Sequence, residues 1–300
     1  MFGVTILGNN SALPAFDRHP TAQVITLNDQ LILIDCGEGT QMQMSRYKIR
    51  RSKINHIFIS HLHGDHYFGI AGLVTSMGLL NREQDLHIYA PAPLKELLCM
   101  QLNIADTKLP FALHFHSTAD EGIIVDEEKF TVECFHVKHR IPCTGFIIRE
   151  KRNARKINID AVSKFGVPVS FYENLQKGND FITSTGEIIT NEHLTFANTT
   201  AKSYAFSADT IYDETIAQKV AGVHMLYHET TYLKNLESRA ASRFHSTTVQ
   251  AANIATLANT NKLLIGHFSS KYEQLDEFLN EASEVFANVQ LAIEGVTYLV

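Results

Sequence analysis

Three hundred residues, 45% of them apolar, suffice for one large core or two ordinary ones. A formal charge of −6 excludes a global basic field, so any contact with nucleic acid needs a local patch. No stretch approaches the ~20 apolar residues of a membrane span, MFGVTILGNN lacks the basic start of a signal peptide, and Cys36, Cys99, Cys134 and Cys143, without CxxC spacing, read as reduced thiols of a cytoplasmic protein.

The first half alternates strand and helix signals. GVTILG is a short apolar strand, and AQVITLN and QLILIDCG form a hairpin about the turn NDQ. EGTQMQMSRY reads as a helix, INHIFISH as a β-branched strand, FGIAGLVTSMGLL as an apolar helix. LHIYAP is a strand stopped by Pro91, APLKELLCMQLNI a helix, and LHFHST and FTVECFHVKH are strands. From about 149 to 190 the rhythm breaks into a polar, loop-rich segment, whose first sixteen residues carry six Arg/Lys against two Asp/Glu. The pattern resumes with the strand YAFSADT, ending in a carboxylate, and the strand VHMLYHETTY. A helix over STTVQAANIATLANT, the strand KLLIGH and a helix over LDEFLNEASEVF close the chain. These elements predict one layered α/β domain over 1–300 with a basic insertion.

Several predicted strands end in His, Asp or Glu, and strand ends are where α/β folds build sites. The densest case is SHLHGDH, which places His61, His63, Asp65 and His66 in six residues, with Gly64 expected to allow a tight turn. Neutral imidazole and carboxylate suit Zn²⁺ and other divalent ions. Such a loop can serve two adjacent metals, His61 and His63 facing one, Asp65 and His66 the other. The missing ligands must come from other strand ends, the best candidates being His139, Asp209 and His267. His136 competes with His139. Asp209 could instead be a helix N-cap, and His267 a strand-end histidine without a metal.

The SHLHGDH signature resembles that of the metallo-β-lactamase superfamily, which implies a four-layered αβ/βα sandwich with a dinuclear zinc site. LGNNSALP, PTAQVI, LILIDCGEGTQMQM, SMGLLNREQDLHIYAPAPLKELL, HRIPCTGF, SADT, YHETTY, FHSTTVQAA and LLIGHFSSKY are similar, in order, to segments of the ribonuclease Z family. That resemblance spans nearly the whole chain. It implies that His61, His63 and His139 bind one zinc, that Asp65, His66 and His267 bind the other, and that Asp209 bridges. His139 is preferred because Gly145 and Phe146 stand where the family has its Gly-aromatic pair. It implies an acid pair, His245 oriented by Glu229, with His228 structural. Read from the residues alone, His245 could simply flank a helix capped by Ser246 or Thr247.

The insertion matches the position of the family's flexible, tRNA-gripping arm, and Arg149, Lys151, Arg152, Arg155 and Lys156 supply a basic patch there. Lys271 in HFSSKY, where the family usually has Arg, is a further substrate cation. Other departures are Asn9 for a small hydroxyl residue, Ala71 for a frequent proline, and an arm tip reduced to Gly166 and Pro168 before Val169, Ser170 and Phe171. The implied activity is removal of the 3′ trailer from precursor tRNA by a homodimer with two Zn²⁺ per subunit, Mn²⁺ or Fe²⁺ being alternatives. The competing expectations are another phosphodiesterase or small-ester hydrolase of this fold, and a non-catalytic tRNA-binding protein.

Overall fold

The computed structural model describes residues 1–151, 154–198 and 200–300. The chain folds as two compact units, one of 1–126, 132–148 and 202–300, the other of 127–131 and 149–201.

The strands of the first unit, in chain order, are β1 Phe2–Gly8, β2 Ala22–Leu27, β3 Gln30–Ile34, β4 Ile54–Phe58, β5 Leu86–Ala90, β6 Leu113–Ser117, β7 Gly122–Asp126, β8 Phe130–Val137, β9 Cys143–Glu150, β10 Ser203–Phe206, β11 Met225–Glu229, β12 Lys262–Gly266, β13 Val289–Leu291 and β14 Thr297–Leu299; β8 and β9 run at one end into the second unit. They form two seven-stranded sheets, ordered β14-β1-β2-β3-β4-β5-β6 and β13-β12-β11-β10-β9-β8-β7. The first is antiparallel from β14 to β3 and parallel from β3 to β6. The second is parallel from β10 to β13.

Parallel neighbours need crossovers, and the helices Thr40–Arg46, Ile70–Leu79 and Pro93–Ile104 provide them in the first sheet. Their apolar faces (Met44, Leu73, Met77, Leu94, Leu98) pack with Leu7, Val24, Leu33, Ile57 and Ile88 from the strands. The other faces of the two sheets meet. Phe58 packs on Phe146 with centroids 5.2 Å apart, and the buried Tyr204 hydroxyl donates to Gln23 across the interface. The helix Thr248–Leu257 packs against β11 and β12 outside the second sheet. The result is the four-layered αβ/βα sandwich.

Two expected strands are shorter than their apolar runs. β4 stops at Phe58, and although the Ile59 amide still bonds the Tyr89 carbonyl, Ser60 and His61 lie beyond the strand; β10 stops at Phe206, three residues before Asp209. β7, β9, β13 and β14 were not anticipated. β13 and β14 span three residues each, too few for a periodic signal, and CTGFIIRE in β9 is a buried run without alternation.

The second unit, expected to be loop-rich, has a small core of its own. Val162, Val167, Leu175, Ile189 and Leu194 cluster among short helices and two two-stranded ladders. Asn158 caps the helix Ile159–Lys164 by accepting from the Ala161 amide.

Candidate metal centre and active site

The candidate site residues sit where the strands of both sheets end. β4 leads to His61 and His63, and the short helix Gly64–Tyr67 carries Asp65 and His66. β8 leads to His139, β10 to Asp209 and β12 to His267, while Glu229 closes β11. Three strand exits on this side pass through the left-handed region without glycine, at Asp35 (φ 55°), Ala208 (φ 56°) and His267 (φ 61°). Non-glycine residues held there store strain, and they collect at functional sites. Gly64 does not serve the tight turn expected of it, since its φ lies outside the left-handed region; a Cβ there would meet the Phe68 ring at 2.2 Å.

His61 Nε2 lies 3.0 Å from His63 Nδ1, and His139 Nε2 lies 3.1 Å from that same atom. The far nitrogens of two of these rings already have acceptors. His61 Nδ1 meets Ser60 Oγ at 3.0 Å, and His139 Nδ1 meets the Phe244 carbonyl at 2.9 Å. Ser60 Oγ donates its own proton to Asp35, so it accepts from His61. His61 and His139 therefore turn lone pairs toward His63. Burial first, then the neighbouring imidazoles, holds His61 well below its ordinary pKa and His63 down to about 4, which keeps these rings neutral. His63 Nδ1 can donate to only one of the two, so the other lone pair is left facing a nitrogen it cannot bond unless a cation sits among them. The spacing of these nitrogens is close to the ~3.3 Å edge of a tetrahedron with bonds of 2.0–2.1 Å.

The second group is built the same way. His66 Nδ1 donates to Asp35 Oδ2 at 2.7 Å, and His267 Nδ1 to Thr231 Oγ1 at 2.9 Å. Among the described residues both Nε2 atoms are buried without a hydrogen-bond partner. They face the carboxylates: His66 Nε2 is 3.4 Å from both Asp65 and Asp209, and His267 Nε2 is 3.5 Å from Asp65 and 3.3 Å from Asp209. Asp209 is also 3.8 Å from His61 Nε2, so it stands between the two groups. Buried carboxylates around orphaned imidazole nitrogens are an environment for cations. Among the described residues, ligand atoms of His61, His63 and His139, of Asp65, His66 and His267, and of His61, His66 and Asp209 converge within 4.8 Å. His136, the competitor of His139, lies elsewhere, bonded to the Thr118 carbonyl.

Glu229 is fully buried and saturated. Its Oε1 accepts from the Thr210 and Ser246 amides at 3.1 Å and from His245 Nδ1 at 2.9 Å; its Oε2 accepts from the Thr231 amide and hydroxyl. Burial opposes a charge on His245, but the Glu229 carboxylate outweighs it and pushes the imidazole pKa up to about 9. Thr247, not Ser246, caps the next helix, in a reciprocal box with Gln250, so His245 is free of capping duty. His228 bonds the Glu229 carbonyl and is structural.

His63, Asp65, Asp209, His245 and His267 floor a cleft of about 530 Å³, lined also by Ala12, Arg140, Tyr232, Arg239 and Arg243. A larger cleft, about 1100 Å³, lies within the second unit and holds none of the proposed ligands; Arg155, Glu173, Lys177 and Asp180 line it. Of the arm cations, Arg152 lies outside the described residues. Arg155 donates to Thr195 Oγ1 within its own unit, and Lys156 is exposed. Lys271 is exposed, with its ammonium 5.6 Å from the Tyr272 ring centroid. The sequence reading missed Asp35, Ser60 and Thr231, which anchor the ligands, and the three cleft arginines. Asp35 was findable, because it ends β3 in LILIDCG as the other site residues end theirs. The arginines carried no signal, being scattered in sequence.

A family model described as Anti-Pycsar protein Apyc1 matches residues 2–162, a stretch with the SHLHGDH loop and His139 but without Asp209, Glu229, His245 or His267. Ribonuclease Z of Bacteroides thetaiotaomicron is 42% identical over 98% of this chain and 94% of its own, and that of Porphyromonas gingivalis 40% identical over 95% and 94%. Among solved structures, human tRNase Z, short form, superposes with a TM-score of 0.72 at 25% identity, over 99% of this chain and 98% of that one. The metallo-β-lactamase fold protein YhfI of Bacillus subtilis superposes at 0.70 with 17% identity over 99% of both, a likeness of fold. With its ligand-bearing strand ends inside a match of this length, the chain belongs to the ribonuclease Z family, on the metallo-β-lactamase fold.

Proposed function

We propose that this protein is a metal-dependent endoribonuclease that removes the 3′ trailer from precursor tRNA, with two Zn²⁺ per subunit held by His61, His63, His139 and Asp209 and by Asp65, His66, His267 and Asp209. The observation that carries this reading is the Glu229–His245 pair, 2.9 Å long, in which His245 lines the same cleft as His63, Asp65, Asp209 and His267 while Glu229 is buried behind it. Divalent ions there supply Lewis acidity and activate water near neutral pH.

The chain's own groups do the rest. Asp65, fixed by the Ala12 amide at 2.8 Å, orients the attacking water. Glu229 holds the Nδ1 proton of His245, leaving Nε2 to deliver a proton to the departing 3′-oxygen. A P–O bond to water forms and the P–O3′ bond breaks, giving tRNA with a 3′-hydroxyl and a trailer with a 5′-phosphate. Exposed cations of the 149–201 unit add sequence-independent phosphate contacts. A homodimer would cover the apolar strip of Phe68, Leu97, Met100 and Ile104, all exposed, the last three on one face of the helix Pro93–Ile104. A cytoplasmic setting fits the four free thiols.

The test is cleavage of a precursor tRNA by the zinc-loaded protein. A single cut yielding the mature 3′-hydroxyl is expected, and intact precursor beside hydrolysed small esters sinks the reading. His245→Ala should lower turnover by roughly 10²–10⁴-fold with metal content unchanged. A second reading is another phosphodiesterase of this fold, because the two metal-ligand groups do not themselves require an RNA. That enzyme would keep its activity when residues 150–185 are removed, whereas tRNA cleavage would collapse.

A further inference from the structure

We propose that Arg140, Arg239 and Arg243 form a rim over the metal centre that binds the phosphates flanking the scissile one, so that the cleft itself, and not only the inserted unit, selects a polynucleotide. The inference rests on the ribonuclease reading and adds substrate-positioning residues to it.

All three arginines line the cleft with His63, Asp65, Asp209, His245 and His267. All three are exposed, and among the described residues none forms an ion pair or a side-chain hydrogen bond. Arg239 has only the Tyr232 ring beneath it, 5.9 Å away. Arg239 and Arg243 stand four apart on the helix Glu237–Arg243, on one face, where like charges destabilise each other. Their Cα atoms are separated by a rise of about 6 Å, which lets the two guanidinium groups address successive phosphates. That helix runs directly into His245, so a strand held by these arginines is positioned against the proton donor. Arg140 directly follows His139 in the chain.

Charge sorting supports the same conclusion. The chain is acidic overall, and the cleft floor is anionic, with Asp65 and Asp209. The cations at the mouth are all arginine, with no lysine among the lining residues. Arginine's planar fork suits phosphate oxygens, while its charge at the rim offsets the repulsion an incoming phosphate meets from the floor. A lone phosphodiester needs only the metal groups; a strand meets the rim as well.

The experiment uses the full-length, metal-loaded protein and a fluorescent five-nucleotide RNA, too short to reach much beyond the cleft. Anisotropy should show the Arg239→Gln/Arg243→Gln double variant and the Arg140→Gln variant binding it about tenfold or more weakly. The slope of log affinity against log salt should flatten by roughly 0.7 for each phosphate that is no longer neutralised. Arg→Lys replacements should restore part of the affinity. Metal content and hydrolysis of bis(p-nitrophenyl) phosphate, which has a single phosphate, should stay within about twofold. Equal pentamer binding by all variants overturns the proposal, and so does a parallel loss of small-diester hydrolysis, the mark of a merely structural role. Failure of the ribonuclease reading looks different: the unaltered protein leaves precursor tRNA intact, whatever the pentamer does.

Discussion

The two sheets end at one cleft but equip it differently. The first delivers His61, His63, Asp65 and His66 from a single loop after β4. The second delivers His139, Asp209, Glu229 and His267 one at a time, from β8, β10, β11 and β12. Their anchors differ too. On the first sheet a buried carboxylate, Asp35, holds His66 at 2.7 Å and ties Ser60, which holds His61. On the second a neutral hydroxyl, Thr231, holds His267 at 2.9 Å and braces Glu229. The first half of the centre is thus a local motif stiffened by charge. The second is assembled by tertiary structure, and its His267 is held by a hydroxyl rather than directly by a carboxylate.

The most severe break is Asp209→Ala, because that carboxylate stands between the two halves. Cleavage should fall to background and bound metal, measured by atomic absorption, by at least half; full metal content would place Asp209 outside the ligand set. Asp35→Asn should act next. It leaves the ligands present but removes the charge that fixes His66, so metal affinity should weaken by about 10–100-fold and activity should return with excess zinc. An affinity unchanged in competition with a chelator would show that the charge is not what matters. Thr231→Val should be mildest for metal affinity, within about tenfold on the same measurement, since the bond it removes from His267 is neutral and contributes about 1 kcal/mol. If it costs as much as Asp35→Asn, the contrast between charged and neutral anchoring is wrong.

The same contrast explains what was legible. The first sheet's ligands declared themselves because four chemically unusual residues sit in six positions after an apolar run. His139, Asp209 and His267 were legible only as strand-end residues with bland competitors, and resemblance to a family chose among them. Ser60 and Thr231 were unreadable, because a hydroxyl beside a strand end is ordinary until the imidazole it holds is known. The insertion was legible as a change of composition, but its apolar core was not, because Val162, Leu175 and Ile189 are too widely spaced among polar residues to mark a period.

The sequence by itself determined the alternation of strands and helices, the His/Asp loop that could hold a metal and the elements that could supply its partners, since hydrophobic period and ligand spacing are local properties. Only the tertiary structure decided that lone pairs converge at 3.0–3.1 Å, that Asp209 lies between both groups and that Glu229 spends its oxygens on His245 and its surroundings. It also set Arg140 and Arg239, ninety-nine positions apart in the chain, at one cleft. Those are distances between residues far apart in sequence, and no local pattern encodes them.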